Sequence, residues 1–350
     1  MAKKILLASM GVGADGVTRL QDIIVPEVFD PYVQQMTEEK SRLVRTGVLQ
    51  LSPELNAFLA GGGLTKNVPS FLDLDNDEEN YVDDDPSNTS APKKIGTARE
   101  IVTRMNRHQS WSSMNLTAQL AGADPMEAIG ARVGAYWARR LQAMFLSTVQ
   151  GIFSDNAALP DGSEHEQNDM IHDVSGASVS EDTKFSAEHF IDTLSTIGDS
   201  EDDLGIIFMH SIVYARAKKQ NLIEFIPDAR GETTIAFYQG REVVVDDALT
   251  TGTAGVYHTY VFGQGAFALG NIAPDTPSEV ERIAGAGNGS GQDILHNRVL
   301  WSIHPKGHAY QGTPPASGPT NALLEDASSW KRVYAERKMI KMARLTTREA

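Results

Sequence analysis

One long helical pattern in the middle of the chain limits the folds available to it more than any other feature. The stretch 124–150, which begins DPMEAIGARVGAYWARRLQAMF, predicts a helix of roughly 40 Å, more than twice the mean length in globular proteins. Asp124 is the expected N-cap, Pro125 suits the first turn, and Glu127 takes the capping-box position. The apolar side chains recur at helical spacing: Met126, Ile129, Val133, Trp137, Leu141, Met144, Phe145 and Ile152, with Tyr136 at the edge.

The opposite face of this predicted helix carries small and polar residues. Gly130 and Gly134 lie in or beside the apolar stripe, where each costs about 1 kcal/mol relative to Ala. Two interpretations stay open: the glycines are merely tolerated, or another backbone passes close to them. The residues of the opposite face are Ala128, Ala131, Ala135, Ala138, Arg132, Arg139 and Gln142.

Composition and charge exclude several classes of protein. A chain of 350 residues predicts two lobes, or one domain with extensions. The formal charge of −15 argues against a surface dedicated to nucleic acid, because phosphate contacts need clustered Lys and Arg. The absence of cysteine excludes disulfides and fits a reducing cytoplasm. The apolar run after Lys4 is too short for a signal peptide, and no run could span a membrane, so we expect a soluble protein.

Two oppositely charged segments precede the long helix. Residues 73–85 hold eight acids and no base, whereas residues 93–107 hold five bases and a single acid, Glu100. The segment DPSNTSAP at 85–92 has strong turn chemistry, so we expect a long two-stranded hairpin. Such a hairpin is marginal alone in water, which favours support from a neighbouring subunit. The candidate contact residues are Asp75, Asp77, Glu78, Asp83, Asp84, Asp85, Lys93, Lys94, Arg99 and Arg104.

The second half of the chain has the pattern of a compact α/β region. A helix capped by Ser186 and another capped by Ser211 and ending near Asn221 flank a buried strand over 204–209. Residues 285–291 are rich in glycine and are expected to form a flexible turn between two strands. The other strands are predicted at 243–245, 256–262, 265–269, 278–284 and 293–305.

No motif indicates catalysis, a cofactor or a metal. Asp73, Asp75 and Asp77 alternate as in a calcium loop, but Glu78 and Asp84 replace its required Gly and Glu. Residues 304 and 308 are histidines at zinc spacing, yet a Pro and a Gly between them exclude the helix that zinc would need. The glycines lead into a strand rather than a helix, so they do not match a dinucleotide fingerprint, and no nucleophile elbow or phosphate loop occurs.

Taken in order, these segments resemble the major capsid protein of tailed bacteriophages, with its Hong Kong 97 type fold. The resemblance spans nearly the whole chain, and it rests on the order of motifs that are each weak alone. The matching stretches are YWARR at 136–140, QGIF at 150–153, GREVVVDD at 240–247, GVYHTYVFG at 255–263, NRVLWSIH at 297–304 and DIIVPEVF at 22–29.

The resemblance implies an α+β fold in five parts. These are an amino-terminal arm (1–45), an extended loop with flanking strands (46–115), a peripheral domain with the spine helix (116–185), an axial domain (186–274) and a return to the peripheral domain (275–350). It implies self-assembly of hexamers and pentamers into an icosahedral head shell around double-stranded DNA, without specific DNA binding. It further implies a separate scaffolding protein, a portal, cement or decoration proteins in some relatives, and assembly in the host cytoplasm.

Other interpretations stay open at this point. The same fold forms encapsulin-like nanocompartment shells, which enclose enzymes instead of DNA. A soluble α/β enzyme would need a convergent site, and a tail or decoration protein would seldom need both a spine helix and a long hairpin. Some relatives join a lysine of the extended loop to an asparagine of a neighbour; Lys93 and Lys94 lie in that loop, but no acceptor is identifiable.

Overall fold

The computed structural model describes residues 46–71, 74, 78–82, 84–87, 89–90, 92–121, 125–158, 167–227, 234–334 and 336–349. The arm predicted over 1–45 therefore lies outside the described residues. The helices are α1 (Pro53–Ala60), α2 (Asn115–Ala121), α3 (Pro125–Ala158), α4 (Ala187–Ser195), α5 (Ser211–Lys219) and α6 (Asn321–Glu325). None of these helices combines the length and apolar character that crossing a bilayer requires.

Sixteen strands accompany these helices in the described part of the chain. In chain order they are β1 (Leu49–Leu51), β2 (Thr65–Phe71), β3 (Thr97–Thr103), β4 (Met105–Met114), β5 (Ile171–Asp173), β6 (Leu204–Met209), β7 (Glu224–Pro227), β8 (Thr234–Tyr238), β9 (Arg241–Val245), β10 (Val256–Gly263), β11 (Phe267–Ile272), β12 (Ser278–Ile283), β13 (Gln292–Pro305), β14 (His308–Tyr310), β15 (Trp330–Arg332) and β16 (Met342–Arg348).

The long helix α3 has 34 residues, which is about 50 Å of helix. It continues to Ala158 instead of ending near Gln150 as predicted, because Ile152, Phe153 and Asp155 of the last turns are buried in the body of the protein. The predicted apolar stripe is confirmed as the buried face. Ala138, predicted on the opposite face, is only 6% exposed, so the buried face is wider than the sequence indicated.

Strand β13 organises a five-stranded sheet. Its residues 292–301 pair antiparallel with β4, residues 292–297 with β12 and residues 300–305 with β11, and β1 adds in parallel to β11. The glycine-rich turn joins β12 to β13 as predicted, and Gly287, Gly289 and Gly291 in it have positive φ angles, which glycine adopts without strain. His304 and His308 lie in β13 and β14, on either side of a turn, so they share no helix.

A seven-stranded sheet, in the order β5-β16-β10-β6-β9-β8-β7, forms the second layer. Successive side chains of a strand point to opposite faces. Accordingly Ile206 and Phe208 of β6 belong to the core around α3, whereas Ile207 and Met209 belong to a second core beneath α4 and α5. Both faces are covered, which explains why 204–209 reads as a continuous apolar run.

Phe145 of α3 connects the two sheets. Its ring centroid lies 4.8 Å from that of Phe267 in the five-stranded sheet and 5.7 Å from that of Phe262 in the seven-stranded sheet. Nearer the start of the helix, Trp137 packs edge-on against Trp301 of β13 at 5.6 Å. One helix face therefore contacts both sheets.

The sequence predicted the N-cap of α4 correctly but not that of α5. Ser186 accepts a hydrogen bond from the His189 backbone N–H at 3.3 Å and caps α4, as predicted. Ser211, the predicted cap of α5, is instead its first residue. The cap is His210, whose Nδ1 accepts from the Ile212 N–H at 3.1 Å, and α5 ends at Lys219.

Candidate subunit interface

The predicted hairpin exists, but its strand pairing is confined to its base. Strands β2 and β3 pair antiparallel over seven positions, from Thr65 opposite Thr103 to Phe71 opposite Thr97. The described residues of the acidic segment adopt no strand. Among the described residues, the long hairpin that the sequence predicts is therefore paired only over β2 and β3. A run of like charges on one strand repels, which disfavours a ladder there.

A buried polar cluster fixes β3 to the body of the protein. Glu100 is 5% exposed, and its Oε2 lies 2.5 Å from His304 Nε2. The Tyr334 hydroxyl donates to Glu100 Oε1 at 2.6 Å, and the Gly307 N–H donates to Oε2 at 3.3 Å. Burial alone would raise the pKa of Glu100, but the hydrogen bonds from His304 and Tyr334 outweigh it and lower that pKa. The cluster therefore holds the carboxylate in its charged form.

An apolar contact fastens the same base on its other side. Val102 of β3 is buried with Leu55, Phe58 and Leu59 of α1 and with Leu300 of β13. The Ser302 hydroxyl also donates to the Thr103 carbonyl at 2.9 Å. The base of the hairpin is thus part of the folded core.

From the outermost pair of this base onward, the hairpin carries apolar side chains that its own chain leaves open to solvent. Val82 is fully exposed, and Tyr81 is 76% exposed. Scattered surface apolar residues are ordinary, but a series of them along one projection marks an interaction site. The members of this series, termed here the outer hairpin patch, are Phe71, Leu74, Tyr81, Val82 and Ile95.

Five of the predicted charged contact residues lie beyond the base of the hairpin and are exposed, and a sixth, Arg99, is exposed on β3 within the base. Asp75, Asp77 and Asp83 fall outside the described residues. Hydrogen bonds from the Ser87 hydroxyl and backbone N–H lower the pKa of Asp85. The other exposed members are Glu78, Asp84, Lys93, Lys94 and Arg99.

The guanidinium of Arg104 contacts residues at the base of the hairpin. Its Nη1 donates to the Gly61 carbonyl at 3.3 Å, and its Nε donates to Asn106 Oδ1 at 3.2 Å. It is half-buried between β3 and β4. Its side chain therefore closes the base of the hairpin beside α1.

One possible metal-ligand group occurs among the described residues, and the sequence did not indicate it. His172 on β5 and His189 and Asp192 on α4 each bring one ligand atom within 4.8 Å of the others. The spacing of His189 and Asp192 by three residues on a helix was the available signal. His172 joins them only through the pairing of β5 with β16, which the sequence did not predict.

Comparison with known proteins identifies the family. A family model described as Major capsid protein 13-like matches residues 67–341. The major capsid protein of Bacillus phage SPP1 is 37% identical over 329 residues, covering 92% of this chain and 96% of that relative.

Two solved capsids share the fold at low sequence identity. The capsid of Ralstonia phage GP4 aligns with a TM-score of 0.56 at 10% identity, over 89% of this chain and 91% of that chain. The capsid asymmetric unit of Cyanophage Pam1 aligns with a TM-score of 0.54 at 9% identity, over 91% and 93%. The predicted α+β fold of the Hong Kong 97 capsid type is confirmed. This chain belongs to the Major capsid protein 13-like family, and it is a structural protein of the phage virion rather than an enzyme.

Proposed function

We propose that the chain forms the icosahedral head shell of a tailed bacteriophage by laying its hairpin across an adjoining copy. The observation that carries this proposal is the contrast within the hairpin. Its base is fixed by the Glu100 cluster and the Val102 contact, whereas the outer hairpin patch is exposed on its own chain. Burying that patch on a neighbour would remove apolar surface from water and stabilise the shell.

The charged residues of the hairpin would set the register of this contact. In our proposal Glu78, Asp84, Asp85, Lys93, Lys94 and Arg99 meet complementary charge on the neighbour, with Asp75, Asp77 and Asp83 extending the acidic side. Exposed ion pairs contribute about 0–1 kcal/mol each, so their gain is specificity more than affinity. Arg104 has a different part in the proposal: it holds the base.

In our proposal the chain is divided into domains as in the capsid proteins that it resembles. We assign 46–115 to the extended loop and its flanking strands, 116–185 to a peripheral domain with α3, 186–274 to an axial domain, and 275–350 to the return to the peripheral domain. Support comes from the second core beneath α4 and α5, which gathers residues from 185 to 261 together with Ala343 and Leu345 of β16, and from the pairing of β13 with both β4 and β12. The arm at 1–45 remains a prediction from the sequence.

The assembled shell would consist of hexamers and pentamers and would enclose double-stranded DNA without gripping it. The net charge of −15 supports this, because strong phosphate contacts need clustered bases and would hinder packaging and release. A separate scaffolding protein, a portal and, in some relatives, decoration proteins would be the partners. Assembly would take place in the host cytoplasm.

A pair of matched substitutions tests the hairpin contact. Val82→Asp introduces a charge into the outer hairpin patch, where burial on a neighbour would leave it unpaired and costly. Val179→Asp makes the same change at an exposed site outside the hairpin and serves as the control. In cells that also express the scaffolding protein, electron microscopy should find closed shells for the parent and for Val179→Asp, and soluble, folded but unassembled Val82→Asp. Normal shells from Val82→Asp would contradict the proposal.

A further inference from the structure

An edge strand and a helix of the seven-stranded sheet bring two imidazoles and a carboxylate together. The rings of His172 on β5 and His189 on α4 have centroids 5.9 Å apart, and Asp192 follows one turn after His189. One ligand atom from each of the three residues lies within 4.8 Å of the other two. The shell proposal makes no use of this group.

The hydrogen bond of His189 prepares that ring to bind a cation. Its Nε2 lies 2.9 Å from the backbone carbonyl of Asp182. A carbonyl oxygen can only accept, so Nε2 carries a hydrogen, and in the neutral ring Nδ1 then carries the lone pair. Metal-binding histidines are commonly oriented in this way, with the other ring nitrogen donating to a carbonyl.

His172 supplies a second, independent sign of a ligand. Its Nε2 is buried and finds no hydrogen-bond partner among the described residues, which is costly for a polar atom unless something binds it.

We propose that His172, His189 and Asp192 bind a divalent transition-metal ion, with zinc as the preferred ion and water at the remaining position. Two imidazole nitrogens and one carboxylate oxygen suit zinc better than calcium or magnesium, which favour oxygen ligands. Zinc bonds of about 2.0–2.1 Å in a tetrahedron put ligand atoms about 3.3 Å apart, so the three side chains must close by a small rotation. Asp192 is exposed, which leaves it free to rotate and leaves room for the water.

The bound ion would fasten the edge of the sheet. Strand β5 pairs with β16 at only three positions, and it has no strand on its other side among the described residues. A metal held by His172 and by two residues of α4 would connect this short edge strand to the helix that packs on it. We therefore expect zinc to raise the melting temperature of the chain.

Zinc titration of the purified, unassembled chain tests the proposal. Calorimetry should give one zinc ion per chain, and thermal unfolding should give a higher Tm with zinc than with magnesium. His189→Gln keeps a donor for the Asp182 carbonyl but removes the ligand nitrogen, so zinc affinity should fall by more than about tenfold and the Tm rise should vanish. Asp192→Asn, at an exposed position, provides the same test if His189→Gln folds poorly.

A second histidine pair provides the control. The rings of His108 and His296 stack on the five-stranded sheet, and His108 Nε2 lies 3.2 Å from His296 Nδ1. This pair is an alternative place for zinc to bind. The double variant His108→Gln/His296→Gln should keep the parent's zinc affinity. The proposal is overturned if the parent binds no zinc at about 100 μM, if both ligand variants bind as the parent does, or if only the control loses binding.

Discussion

Glu100 Oε2 and His304 Nε2 lie 2.5 Å apart and join the base of the hairpin to the longest strand of the fold. Glu100 belongs to β3, and His304 belongs to β13, where it pairs with Ala268 of β11. Both side chains are buried, at 5% and 7% exposure. This contact, together with the Val102 cluster and the Ser302–Thr103 hydrogen bond, therefore joins the outer hairpin to the sheet.

Replacing Glu100 should loosen the hairpin base. Glu100→Gln removes the charge that His304 and Tyr334 contact, and breaking a buried pair costs about 3–5 kcal/mol in other proteins, so we expect the free energy of unfolding to fall by about 2–4 kcal/mol. Hydrogen exchange of residues 97–103 should also become faster. Urea unfolding and exchange mass spectrometry measure the two effects.

The same substitution at an exposed pair is the control for that experiment. Glu279 Oε2 lies 3.1 Å from Arg298 on the surface, and Glu279→Gln should cost less than about 1 kcal/mol. Folding lowers the pKa of Glu100. The stability that its charged form contributes is therefore complete above the pKa of the unfolded chain and is lost as pH falls through the pKa of the folded chain. Equal losses for the two variants at pH 7 would contradict the anchoring role.

Gly151 marks the point where the return of the chain lies against α3. A Cβ there would overlap the Leu324 carbonyl oxygen and lie 2.6 Å from Trp330 Nε1. The indole itself donates to that carbonyl at 2.7 Å, so the two groups cannot move independently. Gly151→Ala should lower the free energy of unfolding by about 1–3 kcal/mol, although alanine favours helices.

Open space at another glycine provides the comparison. No atom lies within 4 Å of a Cβ built on Gly205 of β6. Gly205→Ala should change the free energy of unfolding by about 0.5 kcal/mol or less. If Gly151→Ala proves as stable as the parent in urea, the packing of α6 and β15 on the helix is not as close as described.

Asp155 should make the chain less stable as pH rises. Its burial near the end of α3 raises its pKa to about 6, while contact with Arg332 acts in the opposite sense. Because the folded value exceeds the unfolded 3.8, stability is lost as pH rises between these two values. Asp155→Asn cannot ionise, so it should be more stable than the parent by about 1–3 kcal/mol at pH 8 and equal to it near pH 4.

Asp326, whose pKa is shifted in the opposite direction, provides the control for this pH dependence. Hydrogen bonds from the Ser328 backbone and hydroxyl lower the pKa of Asp326, which is fully exposed. Asp326→Asn should therefore be less stable than the parent at pH 8, and the difference should shrink as pH falls. Denaturant titrations at several pH values measure both. A loss of stability at pH 8 for Asp155→Asn would show that its charged form is stabilising.

Local patterns predicted the elements whose apolar period is uninterrupted. The stripe of α3, the buried run 204–209 and the strand ending at Pro305 all follow from spacing alone. The last turns of α3 could not be predicted in this way, because Asp155 and Asn156 are polar. Asn156 is buried against Asp169, which accepts from Asn156 Nδ2 at 2.7 Å and pairs with Arg332 at 2.5 Å, and Asp155 is buried near the same Arg332.

The hairpin illustrates the same limit. Its charge pattern and turn predicted two antiparallel arms, and its base confirms that much. From the sequence, Glu100 was the single acidic residue in a basic segment, and no role could be predicted for it. Its partners are His304 of β13 and Tyr334, both more than 200 residues further along the chain, so only the fold brings them together. That the outer part contacts a neighbour remains a proposal.

Photo-crosslinking from Tyr81 tests the hairpin contact most directly. This side chain is 76% exposed, and its hydroxyl donates to Glu78 Oε1 at 2.7 Å, three residues before it. A photoreactive phenylalanine analogue at this position, irradiated in closed shells and in the unassembled chain, reports which polypeptide covers it. We expect adducts between two chains in shells and none in the unassembled protein. Shells in which the probe reacts only within its own chain would contradict it.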